Sequence, residues 1–387
     1  MTAHIEIEPR ILEILVEKRE RRLRGPYLPR TPNQIEEGLR KLLASEGGRI
    51  SSVRRMSGGA SKEQFVFDYD GARGPETLVL RLDPLEGLLE TCRRREAQVL
   101  RAMRGVVPVP EVIAVDEDGR HLGLPGMVMS FVPGVAKPPA SAASVSGLRT
   151  DFDNFWVERL APAFIENLAR IHEFDYRSAD LPDYAMPDGD AFQMAARQVN
   201  WWGQVWHDDV VDAFPIMAIT EGWLRENLPA CTDPVLVHGD FRTGNYLFDA
   251  RDGQMTAVLD WELAHIGDFH EDLAWNLQPI FASKGADGLE RVSGLFLREE
   301  FLELYENRTR RTVDPASLHF YNVLNAWKCA VIDLSSCLTA ARDGNNHQDV
   351  LLSWLATSAH MVIDHITDLL SEPGLTQRSD TGRCDSS

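Results

Sequence analysis

The order in which the chain changes its hydrophobic period constrains its fold more than any other feature. From Ile50 onward, short β-branched or aromatic runs at 53–56, 65–69 and 77–81 are separated by turns that carry glycine. Runs of this length and make-up predict strands. A helical pattern follows at about 90–104, with Ala97, Leu100 and Met103 on one side, and two further strand patterns lie at 112–115 and 127–132. Pro133-Gly134 closes this unit. The chain then turns mainly helical, at 155–173, 190–207, 214–227, 294–311, 315–342 and 348–371, with two short strands at 235–237 and 257–259. A small sheet with one inserted helix, followed by a larger helical part, predicts an α+β fold in two lobes.

The expected organisation has four parts. Residues 1–49 form an N-terminal helical extension, with helices at 8–24 and 33–46 ending at Gly47-Gly48. Residues 50–132 form the small lobe and 133–375 the helical lobe, while the polar stretch 376–387 is a disordered tail. Residues 137–147, rich in Pro, Ala and Ser, read as an exposed connection. The run Lys18-Arg19-Glu20-Arg21-Arg22 reads as a solvated helix face.

Composition excludes several partners. The 387 residues carry a net charge of −19, which opposes general binding to nucleic acid or an anionic membrane. Five cysteines without a C-x-x-C pair make neither a disulfide framework nor a zinc ribbon. Bilayer spans need about 20 apolar residues, and no run of that length occurs. The N-terminus lacks the pattern of a secretory signal, so a soluble cytoplasmic protein is expected.

The chemistry concentrates in Val237-His238-Gly239-Asp240-Phe241-Arg242-Thr243-Gly244-Asn245, followed by Leu259-Asp260-Trp261-Glu262. A carboxylate follows a buried strand, an amide lies five residues on, and a second carboxylate follows the next strand. Phosphoryl transfer from a nucleotide uses such a set, one carboxylate for the attacking hydroxyl and hard oxygens for Mg²⁺. Upstream, Ser57-Gly58-Gly59-Ala60-Ser61-Lys62 is a small-residue turn between two predicted strands. Glycine lets the backbone approach phosphate oxygens there.

Together these residues resemble the aminoglycoside phosphotransferase and choline-kinase-like family, which has a two-lobed protein-kinase-like fold. The resemblance runs from about residue 50 to 370 and also extends to kinase domains fused to acyl-CoA dehydrogenases. It implies that Asp240 is the catalytic base and that Asn245 and Asp260 hold magnesium. It makes His238 structural and Asp272 an anchor for the loops beneath the site. It also implies a nucleotide site built from Ser57, Gly58, Gly59 and Ser61, from Arg81 paired with Glu96, and from the Ser130 carbonyl and Val132 N–H facing the purine. Arg81 stands where kinases place lysine, and its planar fork differs from an ammonium.

Other clusters read differently. His265, Asp268, His270, Glu271 and Asp272 fit no zinc spacing. Trp201, Trp202 and Trp206 read as core packing. Trp327 and Lys328 are candidate acceptor contacts on a helix of the larger lobe, and a lysine there suits an anionic acceptor. P-loop, G-x-S-x-G and dinucleotide fingerprints are absent. The expected activity is magnesium-dependent transfer of the γ-phosphate of ATP or GTP to a hydroxyl of a small molecule. The competing expectations are a nucleotide-binding module without catalysis and a metal-dependent hydrolase using His238, Asp240 and Asp260. The acceptor stays open among aminoglycosides, amino alcohols, sugars, macrolides and hydroxyacyl thioesters.

Overall fold

The short apolar runs that start at Ile50 build a sheet whose central strands are buried on both faces. A computed structural model describes residues 6–56, 61–139, 150–285 and 287–372. Among these, five strands pair antiparallel in the order β1-β2-β3-β5-β4. They are β1 (Arg49–Arg55), β2 (Glu63–Gly71), β3 (Gly74–Leu82), β4 (Val112–Asp116) and β5 (Gly126–Ser130). Strands β2 and β3 form a continuous hairpin, from Glu63 opposite Leu82 to Gly71 opposite Gly74.

Side chains alternate across a strand, so this register sorts the apolar residues into two layers. Phe65, Phe67, Leu78, Leu80 and Leu82 share one core with Ile35 and Leu39. Val79, Met127 and Met129 join the main core with Ala97, Leu100 and Met103. Helix α2 (Pro32–Leu42) thus covers one face and α3 (Arg93–Met103) the other, while α1 (Pro9–Arg22) adds Ile11, Ile14 and Leu15 to the main core. Helix α2 starts at a reciprocal cap between Thr31 and Gln34.

The rest is mainly helical: α4 (Asn154–His172), α5 (Gln193–Asp209), α6 (Pro215–Glu226), α7 (His270–Asn276), α8 (Arg298–Thr309), α9 (Pro315–Val331), α10 (Leu338–Arg342), α11 (Asp349–Ala356) and α12 (Ala359–Ser371). Short antiparallel ladders lie among them, including a two-residue pairing of Ser283–Lys284 with Glu290–Arg291 and two longer ones. One pairs β6 (Val235–Val237) with β9 (His265–Gly267), and the other pairs β7 (Tyr246–Phe248) with β8 (Met255–Val258). Strands β7 and β9 and helix α7 escape periodicity because each is too short to show a repeat. The predicted helix 315–342 contains a π-helical segment at Ile332–Cys337, and 348–371 is divided between α11 and α12.

The basic run of α1 is a clear departure from expectation. Lys18 and Arg21 are buried rather than solvated. Lys18 and Arg22 both bond to Asp209 on α5, Arg22 also bonds to Glu86 after β3, and Arg21 bonds to Glu90. The helix thus ties the sheet side of the molecule to α5 through ion pairs. Isolated, each charge would be costly to bury; paired, they set where the helix docks. Residues 140–147 of the predicted connection, and the predicted tail, lie outside the described residues. Among the described residues no helix is long and apolar enough to cross a membrane.

Candidate active site

The segment after β6 carries the first functional group, and its backbone is fixed from below. Gly239 has φ 81°, and a Cβ there would lie 2.8 Å from the Leu263 carbonyl oxygen, so only glycine fits. Asp272 on α7 is fully buried and accepts two backbone N–H groups, from His238 to Oδ2 and from Gly239 to Oδ1, both at 2.8 Å. It also bonds to His172 at 3.0 Å. Burial alone would push the Asp272 carboxyl up, but His172, His238 and the backbone N–H hold it below its ordinary value. This is the anchoring position the family resemblance implies for Asp272.

His238 orients the loop. Its Nδ1 accepts the Asp240 N–H at 3.2 Å, so the ring's N–H lies at Nε2 and donates to the Leu259 carbonyl at 3.0 Å. Burial lowers its pKa and keeps it neutral, as that tautomer requires. The Leu259 N–H in turn donates to the Asn245 carbonyl at 2.7 Å. One imidazole and one backbone bond therefore bring the end of β8 beside the loop after β6.

Three polar side chains converge as a result. The Asp240 Oδ1 accepts the Trp275 indole N–H at 2.7 Å and the Arg242 Nε–H at 2.8 Å. Its Oδ2 accepts from the Asn245 amide, which also donates to the Asp240 carbonyl at 2.8 Å. With both amide hydrogens spent on Asp240, the Asn245 side-chain oxygen, Oδ1, is left as an acceptor. Asp260 sits in the left-handed region, with φ 60° and ψ 52°, an uncommon state for a non-glycine residue. Its carboxylate is 37 % exposed and bonds to Arg81.

The opposite wall comes from the sheet. Arg81 donates to Glu96 at 2.6 Å and to Asp260, so it bridges α3 and the end of β8. Behind it, Glu262 accepts from Arg93 at 3.0 Å and from Ser61 at 2.8 Å, and lies 3.5 Å from Lys62. Lys62 and Arg93 also meet Asp83, each at 3.2 Å. Burial would raise the Glu262 carboxyl, but Lys62, Arg93 and Arg81 hold it well below the carboxylate range.

A cleft of about 360 Å³ opens between the walls. Ser61, Lys62, Arg81, Ser130, Val132, Asp240, Arg242, Asn245, Asp260 and Glu262 line it. It therefore brings together most of the residues expected from the sequence, with Glu96 directly behind Arg81. Ser57, Gly58 and Gly59 lie outside the described residues. Trp327 and Lys328 do not line the cleft. Both are buried, and Lys328 lies under the loop, donating to the Gly239 carbonyl at 3.3 Å and sitting 4.6 Å above the Trp275 ring. Helix α9 turns that face inward, which corrects their expected part as acceptor contacts.

The remaining clusters are internal. His265 bonds to Glu271 at 3.1 Å and His270 to Asp268 at 2.6 Å, each imidazole taking one carboxylate. Trp201 and Trp202 stack at 5.3 Å within the core. Sequence reading gave no role to Trp275, Arg242 or Glu262. Arg242 and Glu262 stood inside the quoted motifs, whereas nothing local marks Trp275, which is 35 residues from the carboxylate it contacts.

Comparison with known proteins places this arrangement. The model of the phosphotransferase enzyme family matches residues 52–316. Among curated proteins, the chain is 31% identical over 245 residues to mouse acyl-CoA dehydrogenase family member 10, covering 62% of this chain and 22% of that protein. It is 31% identical over 294 residues to acyl-CoA dehydrogenase family member 11 of Gallus gallus, covering 73% and 36%. The chain thus spans well under half the length of these two relatives. Among solved structures, a protein of Ralstonia eutropha JMP134, provisionally assigned as an aminoglycoside phosphotransferase, superposes with a TM-score of 0.61 at 24% identity, over 88% of this chain and 98% of that one. Aminoglycoside phosphotransferase APH(4)-Ia, solved with ADP and hygromycin B, gives 0.53 at 17% identity, over 84% and 97%. Choline kinase from Cryptosporidium parvum Iowa II gives 0.53 at 12% identity, over 83% and 89%. The fold is the two-lobed protein-kinase-like one.

Proposed function

Since the chain belongs to the phosphotransferase enzyme family, we propose that it moves the γ-phosphate of ATP or GTP to a hydroxyl of a small molecule, with Asp240 as the base. The observation that carries this reading is the meeting of Asp240, Asn245 and Asp260 in one cleft, opposite the Arg81–Glu96 pair. In the reaction the acceptor oxygen forms a bond to the γ-phosphorus. The bond from that phosphorus to the bridging oxygen breaks, and the nucleoside diphosphate leaves with the electron pair. The hydroxyl proton passes to the Asp240 carboxylate. Positioning carries much of such a reaction. Trp275 and Arg242 hold one oxygen of Asp240 and the Asn245 amide holds the other, so the carboxylate is fixed in orientation for the incoming hydroxyl.

The donor set fits magnesium. The Asn245 amide oxygen and the Asp260 carboxylate are two hard oxygens on one wall, and magnesium takes few protein ligands and keeps its waters. When bound, the ion offsets phosphate charge. The residues proposed to hold the nucleotide are Ser57, Gly58, Gly59, Ser61 and Arg81, with the Ser130 carbonyl and Val132 N–H at the base. By this reading, residues 50–132 form the nucleotide-binding unit and the helical part supplies the base.

Asp240→Ala tests the assignment. Removing a general base costs about 10²–10⁴-fold in rate, while nucleotide affinity should change little. Transfer at the wild-type rate would show that Asp240 is not the base. One observation favours a second reading, a nucleotide-binding module without catalysis: Arg81 already occupies an oxygen of Asp260. Nucleotide titration with and without Mg²⁺, run beside a turnover assay, separates the two. Tight binding without transfer to any hydroxyl compound supports the module.

A further inference from the structure

We infer that α1 is a strap on the cleft: Lys18, Arg21 and Arg22 hold the segment between β3 and α3, residues 83–92, where it walls the cleft, and so act as positioning residues for the nucleotide. The strap is read from the ion pairs, while its effect on the nucleotide rests on the phosphotransferase reading.

The segment touches the cleft along its length. Leu88 and Leu89 line it. The Leu89 carbonyl accepts from Lys62 at 3.5 Å, the Thr91 hydroxyl donates to Glu262 at 3.2 Å, and Asp83 meets Lys62 and Arg93, each at 3.2 Å. Lys62 and Glu262 line the same cleft beside Arg81. A shift of the segment therefore reaches the side chains around the proposed phosphate site.

Residues 83–92 form neither helix nor strand, so other elements must fix them. The helical lobe takes one part. The Glu86 N–H donates to the Asn345 carbonyl at 3.1 Å, and the Glu86 carbonyl accepts from the Asn346 amide at 2.8 Å. Leu88 packs against the cluster of Cys337, Ala340 and Leu352. The chain joins the lobes covalently after β5, and this segment makes a second, non-covalent joint between them.

Helix α1 makes that joint possible. Glu86 and Glu90 of the segment, with Asp209 at the end of α5, are each at most 8% exposed. Three carboxylates this deep need counter-charges. Helix α1 supplies three from one face, since positions 18, 21 and 22 follow the helical spacing. Arg21 bonds to Glu90, Arg22 to Glu86 at 2.8 Å and to Asp209 at 2.6 Å, and Lys18 to Asp209. Without these cations Glu86 and Glu90 would turn toward water and draw Leu88 and Leu89 out of the wall. Helix α1 lies before the residues 52–316 that the family model matches, so the wall is completed from outside that region.

The experiment titrates the full chain with ADP, with and without Mg²⁺, by calorimetry. It also compares amide hydrogen exchange in 84–92 with that in α9. Arg21→Gln and Arg22→Gln should each weaken ADP by about tenfold or more, because the residues that meet the nucleotide lose their positions. Exchange in 84–92 should quicken by about tenfold or more relative to α9, because the opening is local. Arg21→Lys keeps the charge without the fork and should fall between wild type and Arg21→Gln in both measurements. Arg40→Gln, which breaks an exposed pair with Glu36 on α2, serves as the neutral comparison. Binding is measured well below each melting temperature, and Arg21→Lys carries the test if the Gln variants do not fold. A helix that only adds stability gives a different result, a lower melting temperature with ADP affinity unchanged. ADP affinity within about threefold of wild type in the Arg21 and Arg22 variants overturns the inference and leaves the phosphotransferase reading intact. So does a loss of affinity without quickened exchange in 84–92. A wild type that binds no ADP in either condition overturns both.

Discussion

At the inner end of the cleft, where Lys62 and Glu262 line it, Lys62, Asp83, Arg93, Glu96 and Glu262 form a cluster in which every side chain is at most 6% exposed. At the cleft's mouth stand Asp240, Arg242 and Asp260, with side chains 17%, 11% and 37% exposed. Both groups use arginine and carboxylate. In the inner group each charge meets two or more groups of opposite sign or hydrogen-bonding groups, which offsets part of the cost of holding it away from water. In the outer group Asp240 is held by Trp275 and Arg242 on one oxygen and by Asn245 on the other, while the more exposed Asp260 bonds to Arg81. The inner group is suited to fixing the sheet and α3 against the helical part. The outer group is suited to meeting something that enters the cleft. Arg81 belongs to both, since it bonds to Glu96 within and to Asp260 without.

Breaking the inner group should have the largest effect. Glu262→Gln leaves Lys62 and Arg93 short of a carboxylate in a buried setting. Removing one partner of a buried pair costs about 3–5 kcal/mol. A fall in melting temperature of roughly 5–10 °C is expected, measured by calorimetry. A variant that melts with the wild type would mean that water reaches the cluster and that the two regions differ less than their burial implies.

Arg81→Lys acts at the boundary between the regions. A lysine ammonium is a compact charge and cannot span Glu96 and Asp260 as the fork does. The KM for nucleotide should rise by about three- to tenfold, with a smaller change in melting temperature than for Glu262→Gln. Equal nucleotide affinity in the two forms would show that the bridge is not used in binding.

The smallest effect is expected at Asp333, in the π-helical segment after α9. Burial pushes this carboxyl up to about 7, and the Ser358 hydroxyl donates to it at 2.8 Å. The folded chain keeps this proton up to about pH 7, while an unfolded aspartate loses it near pH 4. The fold therefore binds an extra proton between those values, and its stability falls as pH rises through that window. Asp333→Asn removes the titration. The variant should gain about 2–4 °C over the wild type at pH 8 and nothing comparable at pH 5. A pH-independent difference would rule out the buried titration.

The elements were legible where they were long or formed unbroken apolar runs. The hairpin of β2 and β3 carries unbroken apolar runs, Phe65-Val66-Phe67 and Leu78-Val79-Leu80, so its strands are readable in the chain, while which face each residue takes is not. The three-residue strands β7 and β9 are not, because three residues leave no period; the equally short β6 was read from its unbroken Val235-Leu236-Val237. The charged run of α1 was misread for another reason. Lys18 looks like a surface residue until Asp209, 191 residues away, is beside it. Lys328 was misread similarly, since the face that α9 turns inward depends on the helices packed around it.

By itself the sequence determined the arrangement of the chemistry along the chain. Asp240, Asn245 and Asp260 stand at fixed offsets from apolar strands, and such local spacing survives in one dimension. The tertiary structure alone decided which charges are sealed and which face the cleft. Burial and pairing come from residues far apart in the chain: Glu262 with Lys62, Arg81 with Asp260, Trp275 with Asp240. A charge buried with its partners is part of the scaffold, whereas the same charge at the cleft's edge can act on a ligand. That distinction depends on solvent access, which no local pattern encodes.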